Sequence, residues 1–136
     1  MNLLTENTLK CLLPLKKEVI NIQTASFYVW GDSCKSFVLL DSEGLSIKQE
    51  LMPPGTKEKL HFQNKAQQFF YILKGEAVFF REGKFVTLKE REGVHISPSE
   101  KHFVENRTNE EVEFLVISEP DTKDDRIISE NELDKK

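Results

Sequence analysis

At 136 residues, 38% apolar and 31% charged, the chain has the size and composition of one globular domain with a core of its own. Its formal net charge of −4 argues against a nucleic-acid surface, which needs clustered Lys and Arg, and no apolar run approaches the roughly 20 residues of a membrane helix. Cys11 and Cys34 form no C-x-x-C pair, so the expectation is free thiols in a reducing cytoplasm, not a redox or zinc motif.

Residues 1–25 mix apolar clusters (Leu12-Leu13-Pro14-Leu15, Val19-Ile20) with charges, and read as an N-terminal arm that is helix, edge strand or interface segment. The first residues, MNLLTENTLK, lack the basic and long apolar regions of a secretion signal. From residue 26 the chain reads as short strands: 26–30, 36–41, 45–52, 59–63, 68–74, 77–81, 84–89, 94–97, 102–107 and 112–118. They are rich in Phe, Val, Ile and Tyr. Gly, Pro, Asn and Asp cut them apart in GDSC, DSEG, MPPG, REGK and NRTNEE. This spacing predicts an all-β sandwich or barrel over 26–118. The segment QFFYILKGEAVFFREGKFVTL is apolar on both faces, so these strands should line an interior on one side and meet other strands or a partner subunit on the other. Residues 119–136 read as a charged C-terminal tail, with Ile127 and Ile128 as its anchors.

One strand carries polar groups where a core face belongs. In GTKEKLHFQNKAQQFFYILKG, residues 55–75, strand alternation places His61 and Gln63 together on one face. His102 lies on a later strand, in SPSEKHFVEN. Imidazole nitrogen and amide oxygen are both usable ligands for a divalent first-row metal. The plain alternative is a metal-free polar pocket, with Gln63 and Gln68 bonded to each other, to water or to a ligand. Gln49 shares a strand face with Leu45, Ile47 and Leu51 and reads as a pocket-floor candidate; His95 is a further pocket candidate or a structural residue. No G-x-S-x-G elbow or phosphate loop is present.

Residues 55–75 resemble the first motif of the cupin family, G-x5-H-x-H-x4-E-x6-G. Gly55, His61 and Gly75 match; Gln63 stands at the second histidine position and Gln68 at the glutamate position. The second motif, G-x5-P-x-G-x2-H-x3-N, is recognisable in REGVHISPSEKHFVEN, with His102 and Asn106 in place and Pro98 one residue closer to the histidine than the family pattern. The resemblance extends to small single-domain cupins with WGD, QQFFYILKG and DRI segments. It implies an all-β double-stranded β-helix, or jelly-roll barrel. It places the family's metal positions on His61, Gln63, Gln68 and His102, for iron, manganese, nickel or zinc. It also implies a homodimer. The functions left open are a metal-dependent isomerase, lyase or dioxygenase, a non-catalytic binder of a sugar-like or other small polar metabolite, and a scaffold with a vestigial site.

Overall fold

The computed structural model describes residues 19–129. Most of the expected N-terminal arm, with Cys11, and the end of the C-terminal tail lie outside the described residues. Eleven strands and no helix make up the described part: β1 (Phe27–Trp30), β2 (Cys34–Asp41), β3 (Ser46–Met52), β4 (His61–Gln63), β5 (Gln67–Lys74), β6 (Ala77–Arg81), β7 (Lys84–Leu88), β8 (Gly93–Ile96), β9 (His102–Glu105), β10 (Val112–Glu119) and β11 (Arg126–Ile128). They form two antiparallel sheets, ordered β1-β2-β3-β10-β5-β8 and β11-β4-β9-β6-β7. This is the all-β double-sheet barrel that the alternation and turn spacing predict.

The core lies between the sheets. Phe70 and Phe79 pack edge to face with ring centroids 5.0 Å apart, and Phe114 touches both. Ile72, Met52, Val104, Val112 and Ile96 belong to the same cluster. Gly75 opens the turn from β5 into β6 at φ +84, and a Cβ there would lie 3.0 Å from the Glu111 carbonyl oxygen. That position needs glycine for both reasons.

The inner face of the larger sheet changes character along its length. Its matched rows run Met52–Val112, then Glu50–Phe114–Ile72, then Lys48–Val116–Phe70, then Ser46–Ser118–Gln68. One end is apolar and the other polar, so the barrel closes as a packed core at one end and as a polar chamber at the other. The outer faces are also apolar, as the doubly hydrophobic strands predict. On the smaller sheet Leu60, Phe80 and Phe103 form a second cluster, flanked by Phe85. On the larger sheet Phe27, Phe69 and Leu73 remain exposed.

The segment after Pro120 departs from the simple tail. Residues 126–128 form β11 against β4, pairing Arg126 with Gln63 and Ile128 with His61. Ile127 and Ile128 are exposed and anchor nothing. The anchor is Asp125, a buried carboxylate that accepts hydrogen bonds from the backbone N–H of Lys65 (2.9 and 3.0 Å) and of Ala66 (2.9 Å).

Candidate functional site

β4 and β9 are neighbours, and their single registered pair is His61 with His102. The two rings pack against each other tilted by 54°, with centroids 4.4 Å apart. Each Nδ1 lies 2.8 Å from the carbonyl oxygen two residues earlier, Lys59 for His61 and Glu100 for His102. A carbonyl only accepts, so these contacts place a proton on each Nδ1, and for His102, whose ring is neutral, leave a lone pair on Nε2. The His102 Nε2 is buried without a partner. Burial, then the neighbouring His61, pulls His102 down to about 4, so its ring is neutral at pH 7. Glu100 holds the turn before β9: one carboxylate oxygen accepts the Ser97 N–H and the other meets Arg81 Nε at 2.7 Å.

Gln63 and Gln68 are both buried beside this pair. Gln68 donates through its amide nitrogen to Ser118 Oγ at 3.0 Å. The two glutamines do not satisfy each other: both amide oxygens are buried with no hydrogen-bond partner. Gln63 Oε1, Gln68 Oε1 and His102 Nε2, three buried side-chain atoms without a hydrogen-bond partner, therefore belong to this one site, and all three are acceptors.

A cavity of about 90 Å³ opens here, lined by His61, Gln63, Gln68, Phe70, Val116 and Ser118, and by a group of charged and polar side chains that motif reasoning missed: Tyr28, Lys48, Glu50, Glu58, Thr122 and Arg126. The Gln49 expectation is corrected. Gln49 is registered between Phe37 and Leu115, on the outer apolar face, and does not line the cavity. The inward residues of β3 are its sequence neighbours Lys48 and Glu50. His95 is exposed, bonded to Gln67 at 2.8 Å, and likewise does not line the cavity.

Glu50 accepts a hydrogen bond from the Ser36 hydroxyl, its registered partner on β2. Burial, and then the nearby Glu58 carboxylate, push it up to about 7. Glu58 is also raised, by burial, against the opposing pull of Arg126 and His102. Arg126 Nη2 lies 4.0 Å from Glu58 Oε2 and 3.3 Å from His61 Nδ1. Lys48 Nζ donates to the Tyr28 hydroxyl at 2.9 Å at the cavity mouth.

The raised Glu50 has a consequence for stability. Its folded value of about 7 lies above its ordinary 4.5, so its contribution to stability is complete below about 4.5 and is lost as pH rises through 7. His102 acts in the opposite sense, contributing above 6.5 and losing that contribution as pH falls toward 4. Glu50→Gln should therefore leave the His102 slope uncovered. Relative to the unaltered protein, the variant should gain roughly 3 kcal/mol between pH 4.5 and 7 in chemical denaturation. Parallel pH profiles would mean that Glu50 is ionised in the fold across this range.

The Cupin domain family model matches residues 49–118, from β3 to the end of the barrel's central strands. The chain belongs to the cupin family. It is 34% identical over 84 residues to an oxalate-binding protein from Thermotoga maritima, covering 58% of this chain and 69% of that relative. Among solved structures it is similar to a predicted oxalate decarboxylase from the same organism, with a TM-score of 0.70, 24% identity, and 75% and 98% of the two chains covered. A double-stranded β-helix protein from Klebsiella pneumoniae superposes with a TM-score of 0.71 at 18% identity, over 85% and 100% of the two chains. At these identities the two structural matches bear on the fold alone. The family and the relatives support a small-molecule-binding cupin. No helix among the described residues is long and apolar enough to cross a membrane.

Proposed function

We propose that the chain binds a compact, oxygen-rich anion of the short dicarboxylate class through a divalent metal held by His61, His102, Gln63 and Gln68. The observation that carries this reading is the orphaned set of acceptors: two amide oxygens and an imidazole nitrogen, buried at one site with no donor. A cation held among them would take a lone pair from each, and the donor chemistry suits a first-row metal. An anion alone would add further acceptors and satisfy none of them. When bound, such a metal acts as a Lewis acid toward a ligand oxygen. Arg126 and Lys48 would then receive the outer oxygens of the anion. The cavity of about 90 Å³ suits a ligand of a few heavy atoms and is well below the roughly 300 Å³ at which drug-sized pockets begin. The name of the oxalate-binding relative agrees with this class of ligand.

The same orphans favour a second reading, a metal-free cavity whose ligand donates hydroxyl groups to them, as a sugar-like polyol would. Catalysis enters through Glu50, because a cavity carboxyl held near 7 can exchange a proton at neutral pH. Combined with the metal of the first reading, such a carboxyl would make the chain a metal-dependent enzyme of the isomerase, lyase or dioxygenase type.

Metal analysis and calorimetry on protein purified without a histidine tag separate these readings. The metal reading expects stoichiometric binding of manganese or nickel, and oxalate binding only when the metal is present. Protein that binds neither ion at millimolar concentration, yet takes up a polyol, would replace it with the second reading.

We also propose that the chain is a homodimer covered along the outer face of the larger sheet, where Phe27, Phe69 and Leu73 are exposed. Light scattering should give about twice the 15.8 kDa chain mass. A monomer mass at micromolar concentration would count against the dimer.

A further inference from the structure

The four metal positions share a property that the family pattern does not. Amide and imidazole are both neutral donors, so with glutamine at 63 and 68 beside His61 and His102 the ligand set supplies no formal negative charge. A divalent cation taken out of water into a small cavity needs negative charge close by. Among the residues lining this cavity, two carboxylates can supply it, Glu50 and Glu58.

Their surroundings differ. Glu50 belongs to β3 of the larger sheet and is tied to the Ser36 hydroxyl. Glu58 lies just before β4, the strand that carries His61 and Gln63. Its backbone N–H donates to the Val104 carbonyl at 3.0 Å, and its Oε1 accepts the Val104 N–H at 3.1 Å. Val104 belongs to β9, two residues after His102. Glu58 is thus fastened between the two strands that bring the histidines together. Its side chain is 11% exposed. Its other oxygen, Oε2, has Arg126 at 4.0 Å, which is an ion pair but too long for a hydrogen bond.

We propose that Glu58 is the charge-balancing carboxylate of this site, supplying from a position outside the family's ligand pattern the negative charge that glutamine at position 68 leaves out. This inference rests on the metal reading above. In a cavity this small, a buried carboxylate on the wall acts on a bound cation through a medium of low dielectric, where the interaction is several-fold stronger than in water. Arg126 balances Glu58 when no cation is present. Its side chain is 43% exposed, so water screens it and it competes weakly with a buried divalent ion.

The test measures manganese and nickel affinity by calorimetry, alongside the metal-dependent rise in melting temperature. Unaltered protein is compared with Glu58→Gln, Glu50→Gln, Arg126→Gln and the double variant Glu58→Gln/Gln68→Glu. Glu58→Gln keeps a carbonyl oxygen for the Val104 N–H and should weaken binding by about ten- to a hundredfold, the range known for groups that support metal ligands. Glu50→Gln, which alters a carboxylate tied to Ser36 and not fastened to the histidine strands, should weaken binding less than Glu58→Gln does. The double variant should regain most of the lost affinity, because the carboxylate returns at position 68. Arg126→Gln leaves Glu58 in place and removes its competitor, so it should bind metal more tightly. That result stands as a test even if Glu58→Gln fails to fold. Equal affinity of Glu58→Gln and the unaltered protein overturns this inference alone, as does weaker binding by Arg126→Gln. An unaltered protein that binds neither ion at millimolar concentration ends the metal reading, and this inference with it.

Discussion

Gln63→His combined with Gln68→Glu should give a protein that melts far higher with manganese or nickel than without. Imidazole is the better ligand for first-row metals past manganese, and glutamate adds a formal charge that the amide lacks. At a metal concentration a hundred times the dissociation constant, mass action contributes about 2.7 kcal/mol. In a domain of this size that is a rise in melting temperature on the order of 10 °C. Without metal the double variant should be less stable than the unaltered protein. The new carboxylate would be buried near Glu50 and Glu58, both already raised by burial. It would also lose the bond that the Gln68 amide nitrogen donates to Ser118. Melting curves of both proteins, with and without excess metal, read both halves of the expectation. A loss of stability that metal does not rescue would mean that these four side chains enclose a polar pocket that is no metal site.

The resemblance to the cupin motifs put the family's metal positions on His61, Gln63, Gln68 and His102, and these four side chains gather at one end of the barrel. The motif brings them together because its spacing encodes register: a fixed count between turn glycines fixes which side chains of β4 and β5 face inward. Hydrophobic alternation did worse on β3. Leu45, Ile47 and Leu51 looked like a core face, so Gln49 looked like its polar exception. In the barrel that apolar row is the outer face, and the inner row is Ser46, Lys48, Glu50 and Met52. The rule that apolar means inward fails where the interior is a polar chamber and the exterior of the sheet is itself apolar. Lys48 and Glu50 were hidden for that reason.

Strand β11 was hidden for a different one. Three residues with both isoleucines exposed show no alternation, and no apolar face drives them into place. Beside the backbone ladder to β4, they are tied down by one acidic side chain, and a single aspartate among the many charges of DTKDDRIISENELDKK gives no sign of which loop it will cap. Arg126 follows it directly, so the route by which the C-terminal segment reaches the cavity could not be read from the sequence.

Asp125→Ala should therefore be among the costliest single substitutions outside the apolar core. The carboxylate accepts from two consecutive backbone N–H groups in the loop that joins β4 to β5. Ala66 is almost wholly buried, so its N–H would be left without a partner. Hydrogen bonds to a charged group contribute about 1.5–3 kcal/mol, and an orphaned buried donor adds its own penalty, so a loss of about 3 kcal/mol is expected. The damage should spread in a particular direction. The Asp125 carbonyl accepts from Asn64 N–H, and the Ser129 N–H donates to the Leu60 carbonyl, so β11 is fastened at both ends to the segment that holds His61 and Gln63. With the carboxylate gone, amide exchange should quicken at residues 126–129 and at 65–66, while the amides of β6 and β10 keep their protection until global unfolding. Asp125→Asn, which keeps one acceptor oxygen, should recover part of the stability. Because Arg126 lies 3.3 Å from His61 Nδ1, loosening β11 also moves a positive charge away from the histidine pair, and binding of a small anion should weaken along with the exchange protection. Unchanged exchange at 126–129 with a loss under about 1 kcal/mol would show that β11 is held by its backbone ladder and not by Asp125.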